Sequence, residues 1–125
     1  MTPEELRART KAFAIGIVKF YLRLPSTEVG RILGRQLLRS GTSVGANYRA
    51  ACLGRSKAEF IAKLCIVLEE ADETVFWLEL LVDSGILKKG QDSGLCKEAN
   101  ELARIFGASL RTARASRSVH QDGGM

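Results

Sequence analysis

One stretch of the chain decides its fold: residues 36–87 read QLLRSGTSVGANYRAACLGRSKAEFIAKLCIVLEEADETVFWLELLVDSGIL. Its first half is rich in Ser, Gly and Ala, which is typical of helices that approach each other closely. Its second half mixes acids with large apolar residues, which predicts a helix that is buried on more than one side. Neither half assembles a recognisable reaction site, so the pattern indicates architecture before function.

Upstream of this stretch, the sequence predicts a first helix that starts in a capping box at Thr2-Pro3-Glu4-Glu5 and stops at Pro25. A second helix begins at Ser26 or Thr27 and is predicted to end near Gly54, with a core face that starts at Val29. The apolar register continues through the SGTSVG segment, residues 40–45, which favours one continuous helix. A kink or break there is the alternative, because interior glycines cost about 1 kcal/mol each.

Downstream, Ser56-Lys57-Ala58-Glu59 predicts a second capping box that opens the third helix. Ser84-Gly85-Ile86 is typical of a glycine-terminated helix end. A fourth helix is predicted to start near Asp92 or Ser93. Its apolar residues recur at helical spacing as far as Ala113, and the sequence then turns polar.

Four long helices joined by short loops predict an all-α fold, an antiparallel up-down-up-down four-helix bundle. The bundle is expected to occupy residues 1–115 as a single domain, followed by a disordered polar tail over residues 116–125. The three cysteines are widely spaced and form no CxxC pair, which indicates free thiols in a reducing cytoplasm. No apolar run is long enough to cross a membrane, so no membrane association is expected.

The net charge of +5 is unevenly distributed: residues 26–57 carry +5 and residues 58–83 carry −6. On helical wheels, two basic ridges face away from the core, one on the second helix and one on the fourth. These candidate nucleic-acid-binding residues are Arg31, Arg35, Arg39, Arg49, Lys97, Arg104 and Arg111. A solvated basic face that only maintains solubility is the alternative. The two helices are diagonal in such a bundle, so the ridges meet only through assembly.

The outer face of the third helix carries too many large apolar residues for a solvated surface, which predicts self-association. A strip of small and apolar residues on the second helix is expected to join it. The candidate oligomer-interface residues are Ala46, Ala50, Leu53, Ile66, Phe76, Trp77 and Leu80. The alternative is a wide monomer core covered by loops.

The acids at positions 69, 70, 72 and 73 suggest a metal site or acid–base chemistry, but the chain has one histidine, His120, in its tail. Ferritin-like centres need inward carboxylates from several helices and an ExxH motif. Neither a phosphate-binding glycine loop nor a nucleophile–base pair is visible. We therefore expect no enzymatic activity, no catalytic residues, no metal and no cofactor; the acids are expected to pair with arginines of the second helix or of another subunit.

The same stretch resembles the 23S rRNA intervening-sequence protein family, over nearly the whole chain except the ends. A first motif comprises Gln36, Leu37, Arg39, Ser43, Val44, Ala46 and Asn47. A second comprises Ser56, Lys57, Glu59, Phe60 and Ile61. A third comprises Glu70, Ala71, Glu73, Thr74, Trp77, Leu78, Glu79, Leu80 and Leu81.

The resemblance implies a four-helix bundle that assembles as a homopentamer, with a link to insertions in large-subunit rRNA genes. It also implies a relation to accessory proteins of diversity-generating retroelements, which bind nucleic acid and a reverse transcriptase. Together with the basic ridges, it predicts a non-enzymatic, cytoplasmic homo-oligomer that binds RNA or DNA. The alternative is a protein-interaction scaffold without nucleic-acid binding.

Overall fold

Four helices account for about four-fifths of the chain. The computed structural model describes the backbone of residues 1–123 and the side chains of residues 1–116. The helices are α1 (Pro3–Tyr21), α2 (Glu28–Cys52), α3 (Lys57–Asp83) and α4 (Leu95–Gly123), and the described backbone contains no strand.

Each helix packs on the next one along the chain, and α4 returns to α1 through a thinner seam. Within the described residues α2 does not contact α4, and α1 does not contact α3, so these pairs are diagonal. This arrangement confirms the predicted antiparallel four-helix bundle.

The two predicted capping boxes differ in the structure. The capping box at Thr2 is complete. The Thr2 side chain accepts from the Glu5 amide at 3.1 Å, and the Glu5 side chain accepts from the Thr2 amide at 3.0 Å. Ser56 accepts from the Glu59 amide at 3.1 Å, but Glu59 accepts from the amide of Arg55, one residue earlier. The second prediction was therefore right about the cap and wrong about the reciprocal bond.

Helix α2 is continuous through its glycines, as predicted. A Cβ added at Gly41 would lie 2.8 Å from the Ile17 side chain, and one at Gly45 would lie 3.2 Å from the Thr10 carbonyl oxygen. The glycines therefore let α1 and α2 approach more closely than alanine would, and this contact offsets their cost within the helix.

The rotation of α2 corrects one predicted core position. Val29 is 55% exposed, whereas the neighbouring Gly30 and the next-turn Gly34 are buried. A Cβ at Gly34 would meet Leu24 and Tyr21 at 2.8–3.1 Å, so α2 turns its glycine-rich side toward α1. The prediction that Val29 is buried used hydrophobicity alone. In the structure, the close approach of the preceding chain buries Gly30 and Gly34 instead.

The connection from α3 to α4 uses left-handed backbone. Gly85 has φ +81°, as the predicted glycine stop requires, and Leu87 N then donates to Leu81 O at 3.0 Å. Helix α4 starts at Leu95, later than predicted, because Ser93 and Gly94 also take positive φ values of 56° and 76°.

The core is one cluster contributed by all four helices. Its fully enclosed members include Ile17, Leu37, Leu64 and Phe106. The backbone of residues 116–123, which the sequence analysis assigned to a disordered tail, continues α4, and the side chains are described only as far as Ser116. Across the described residues, no helix combines the length and apolar character needed to span a membrane.

Candidate nucleic-acid interface

Three arginines of α2 form an exposed basic row on the side that borders α1. Arg31, Arg35 and Arg49 are exposed, and none is within ion-pair distance of a carboxylate among side chains 1–116. Arg31 lies with Tyr21 and Leu22 of α1 at one end of the α1–α2 seam, and Arg49 lies with α1 residues at the other end. The two ends of the row therefore lie beside the seam between α1 and α2.

Arg39 faces the opposite neighbour, α3, and is engaged within the chain. Its guanidinium pairs with Glu70 at 3.3 Å and with Glu73, while its Nε donates to Gln36 at 3.3 Å. Glu73 also accepts from the Trp77 indole nitrogen at 3.1 Å. These ion pairs match the expected role of the α3 acids, and they leave Arg39 less free for an external anion than the other arginines of α2.

The basic residues of α4 stand apart from those of α2. Lys97, Arg104 and Arg111 recur every seven residues along the helix, and all three are exposed. Because α4 does not contact α2 within the described residues, one chain presents two separate basic surfaces, as the diagonal arrangement predicts.

A groove between α1 and α2 brings Arg49, one of the predicted binding residues, together with two cations that the sequence analysis did not single out. Arg7 and Lys11 of α1 face Arg49 of α2 across a cleft of about 380 Å³. Arg7 is half-buried and the other two are exposed. The spacing of Arg7 and Lys11, one helical turn, was visible in the sequence, but their position opposite Arg49 depends on how α1 and α2 pack.

The other residues that line this groove have small side chains, which leaves the space between α1 and α2 open. It consists of Ala8, Ala14, Thr42, Gly45 and Ala46. The groove lining contains no carboxylate and no aromatic ring, so its electrostatic character is set by three cations over an apolar floor. We call this site the α1–α2 groove.

The predicted oligomer-interface residues divide between exposed and half-buried positions. Leu53 is 76% exposed, Phe76 52% and Ile66 38%. Ala46, Ala50, Trp77 and Leu80 were predicted to join them, and Trp77 is half-buried. The Phe76 and Trp77 rings meet edge-to-face with centroids 5.0 Å apart, so the exposed ring is supported by one that packs against the core.

A second exposed apolar surface was missed by the sequence analysis. Ile15 and Val18 of α1 and its C-cap residue Leu22 are 41–76% exposed and recur at helical spacing, and Ile32 of α2 is 50% exposed. The sequence analysis identified outer apolar residues only on the second and third helices, so those of α1 were overlooked.

The α1–α4 seam is held by an ion-pair cluster. Arg9 binds Glu98 through two hydrogen bonds of 2.6 and 2.8 Å and reaches Glu101 at 3.0 Å. The hydrogen bond from Arg9 lowers the pKa of the Glu98 carboxyl, and the same bond raises the pKa of Arg9. This cluster is structural, since it joins the least extensive helix pair of the bundle.

One group that could suggest reactive chemistry, the Tyr48 hydroxyl, has a structural explanation. Burial, assisted by a hydrogen bond with Cys52, raises the pKa of Tyr48 to about 12, so its hydroxyl stays protonated at neutral pH. Its ring packs against Phe106, with centroids 5.3 Å apart. Among the described side chains, no three His, Cys, Asp or Glu residues come together as a set of metal ligands.

Comparison with known proteins assigns the chain to a family. The sequence profile of the family described as 23S rRNA-intervening sequence protein matches residues 4–108. The chain belongs to the 23S rRNA-intervening sequence protein family. The matched region contains nearly all of α1, all of α2 and α3, and the first half of α4, and it therefore includes the whole α1–α2 groove.

A solved structure supports the same fold for this member of the 23S rRNA-intervening sequence protein family. A protein of unknown function from the S23 ribosomal protein family of Bacteroides thetaiotaomicron is 34% identical, with a TM-score of 0.81. The alignment covers 89% of this chain and 99% of that one. A comparison with curated proteins finds no significant match.

Proposed function

We propose that this protein is a non-enzymatic, homo-oligomeric accessory protein that binds RNA or DNA through its outward basic surfaces. The observation that carries the proposal is the row of Arg31, Arg35 and Arg49, three exposed guanidinium groups without acidic partners among the described side chains. Arg31 and Arg49 are five helical turns apart and so lie on the same side of α2, about 27 Å from each other.

An exposed row of arginines fits the phosphate backbone of a nucleic acid better than it fits a protein surface, whose charge can be positive or negative. Nucleic acids present regularly repeated negative charge, and arginine binds phosphate with two parallel hydrogen bonds. Because Arg39 is held by Glu70 and Glu73, we assign it to α2–α3 packing and leave it out of the binding row. The family name, which refers to sequences that intervene in 23S rRNA, favours an RNA-linked role.

Self-association is part of the proposal. Phe76 and Ile66 are large apolar side chains left exposed on α3, and contact with another subunit would remove them from water. Each such side chain is expected to contribute about 1–2 kcal/mol when buried. Assembly would also bring the separate α2 and α4 cations of different chains onto one surface; five subunits is the number that the family resemblance implies.

The proposal places the protein in the cytoplasm and gives it no catalytic residues and no cofactor. Free, widely spaced cysteines and the absence of a nucleophile–base pair from the sequence support this part. A bound metal found in the purified protein would contradict it.

The direct experiment is a titration of labelled RNA and DNA at several salt concentrations. We expect affinity to fall steeply with salt, and Arg31→Ala with Arg35→Ala to flatten the slope by about one unit for each phosphate that the variant no longer neutralises. Lys88→Ala with Lys89→Ala is the control: it removes the same charge from exposed loop positions. Wild-type protein that binds neither nucleic acid at low salt would overturn the proposal.

The second candidate function is a protein-interaction scaffold, favoured by the exposed apolar residues of α1 and α3. Co-purification of a defined partner that survives nuclease treatment, with no affinity for RNA or DNA, would establish it in place of the first.

A further inference from the structure

We infer that the α1–α2 groove seats the phosphodiester backbone of a single-stranded nucleic acid and does not read its bases. The inference rests on the proposed function and specifies where, and in what form, the nucleic acid binds. It depends on Arg7 and Lys11, which contribute charge that the α2 row alone does not have.

The charge of the groove selects an anion. Arg7, Lys11 and Arg49 converge on one cleft, and its lining includes no carboxylate. Within the described side chains, none of the three is engaged in an ion pair. Their mutual repulsion is unrelieved within the chain, and a bound phosphate group would relieve it.

The shape of the groove favours a flexible strand over a duplex. Its volume of about 380 Å³ is at the lower end of clefts that take small ligands, and its floor is built from alanine, glycine and threonine. Half-buried Arg7 is recessed between the two helices. A single strand can bend so that a phosphate enters the cleft, whereas the phosphates of a duplex are held on a stiff rod.

The composition of the groove argues against base recognition. Its lining contains no aromatic side chain on which a base could stack and no Asn or Gln, and the groups that could reach a base edge are the same three cations that a phosphate would engage. Thr42 has its hydroxyl committed to the Leu38 carbonyl at 2.7 Å. Binding should therefore depend on phosphate spacing and salt, and little on sequence.

The exposed arginines of α2 extend the basic surface beyond the groove. Arg35 and Arg31 continue along α2 from the groove toward the far end of the seam, where Arg31 borders α1 again. A strand whose backbone enters at the groove can thus follow one helix–helix seam and meet cations at both ends.

The test is fluorescence anisotropy of a labelled twelve-nucleotide oligo-dT with full-length protein over a range of salt concentrations. For Arg7→Ala with Lys11→Ala we expect about tenfold weaker binding and a salt slope smaller by about 1.4, the value for two single-strand phosphate contacts. The control Lys88→Ala with Lys89→Ala should bind within about twofold of wild type. Circular dichroism checks that each variant is folded.

A steric variant removes the ambiguity of a charge change. Ala8→Leu narrows the groove from its exposed α1 side without altering any charge, and should weaken oligo-dT binding by about fivefold. Ala58→Leu places the same side chain at an exposed position in the first turn of α3 and should have no effect. An unlabelled duplex of equal length should compete less well than the single strand, and so should oligo-glutamate of equal charge.

The outcomes separate the two proposals. Loss of binding in the Arg31/Arg35 variant with wild-type binding in both groove variants would overturn the groove assignment and keep the proposed function. Equal competition by duplex or by oligo-glutamate would overturn the single-strand assignment. No binding of any nucleic acid by wild-type protein would overturn both.

Discussion

The Ser40 and Thr74 hydroxyl oxygens lie 3.0 Å apart in the buried interface between α2 and α3. Thr74 Oγ1 is also 2.7 Å from the Glu70 carbonyl oxygen. Ser40 Oγ likewise lies 3.3 Å from the Leu37 carbonyl oxygen. Each hydroxyl carries one proton, so the hydroxyl that accepts across the interface donates its own proton to a carbonyl of its own helix. This chain of two hydrogen bonds ties α2 to α3 at a fixed register.

Thr74→Val should therefore lower the free energy of unfolding by about 1 kcal/mol, because it removes the partner of Ser40 on α3 while preserving shape, and leaves the Ser40 hydroxyl only the longer 3.3 Å contact with the Leu37 carbonyl. Ser40→Ala should cost less, since Thr74 keeps its bond to Glu70. The double variant should lose less than the sum of the two single losses. Urea unfolding followed by circular dichroism measures all three, and strict additivity would show that the hydroxyl pair is not coupled.

The helical fold was predictable because its signals are local. Capping residues, a period of 3.6 and glycine stops depend on neighbours in the chain, and these placed Thr2, Ser56 and Gly85 correctly. The prediction that Val29 is buried was wrong because burial on α2 depends on how closely the chain before it approaches. Gly30 lies against Pro25 and Gly34 against Tyr21 and Leu24, and a helical wheel of hydrophobic residues does not show this proximity.

The candidate site was predictable only in part, for the same reason. The exposed arginines of α2 could be identified from one helix alone. The α1–α2 groove could not, because it needs Arg7 and Lys11 of one helix to meet Arg49 of another. Likewise, Arg39 is engaged by Glu70 and Glu73 of a different helix, and the sequence allowed this pairing without separating it from an interaction with another subunit.

The glycines of α2 and α4 should respond oppositely to alanine. Gly41→Ala should destabilise the protein by about 1 kcal/mol, since the new Cβ would lie 2.8 Å from Ile17 and overpacking outweighs the gain in helix propensity. Gly107→Ala is the matched control: its Cβ would meet only the end of Arg111 at 3.6 Å, so it should stabilise by up to about 1 kcal/mol. Thermal unfolding compares them, and stabilisation by both would mean that α1 and α2 are less close than described.

The Arg9–Glu98 pair should make stability depend on pH. The pKa of Glu98 is lowered in the folded protein, chiefly by its hydrogen bond with Arg9. Its contribution is therefore present above the carboxyl's ordinary pKa, about 4.3, and is lost as pH falls through the lower folded value.

At pH 7, Glu98→Gln should lower the free energy of unfolding by up to about 1 kcal/mol, and the difference from wild type should shrink as the solution is acidified below about pH 4. Glu69→Gln, which changes an acid on α3 that has no side-chain hydrogen bond in the described structure, controls for net charge. Denaturant unfolding at neutral and at acidic pH provides the comparison. A difference that grows on acidification would have the wrong sign for this pair.

The exposed apolar residues of α3 should control assembly. Phe76→Ala with Ile66→Ala removes side chains that are 52% and 38% exposed, so it should shift the molecular mass toward monomer while leaving thermal stability close to wild type. Trp77→Ala is a poorer test, because that ring packs against the core and donates to Glu73, and its loss would also weaken the fold.

Val18→Ala with Leu22→Ala is the control: it removes exposed apolar surface from the α1 side instead and should keep the wild-type mass. Light scattering after size-exclusion chromatography decides between the two surfaces: dissociation by the α1 pair alone would move the interface to α1, and monomeric wild-type protein at high concentration would exclude assembly altogether.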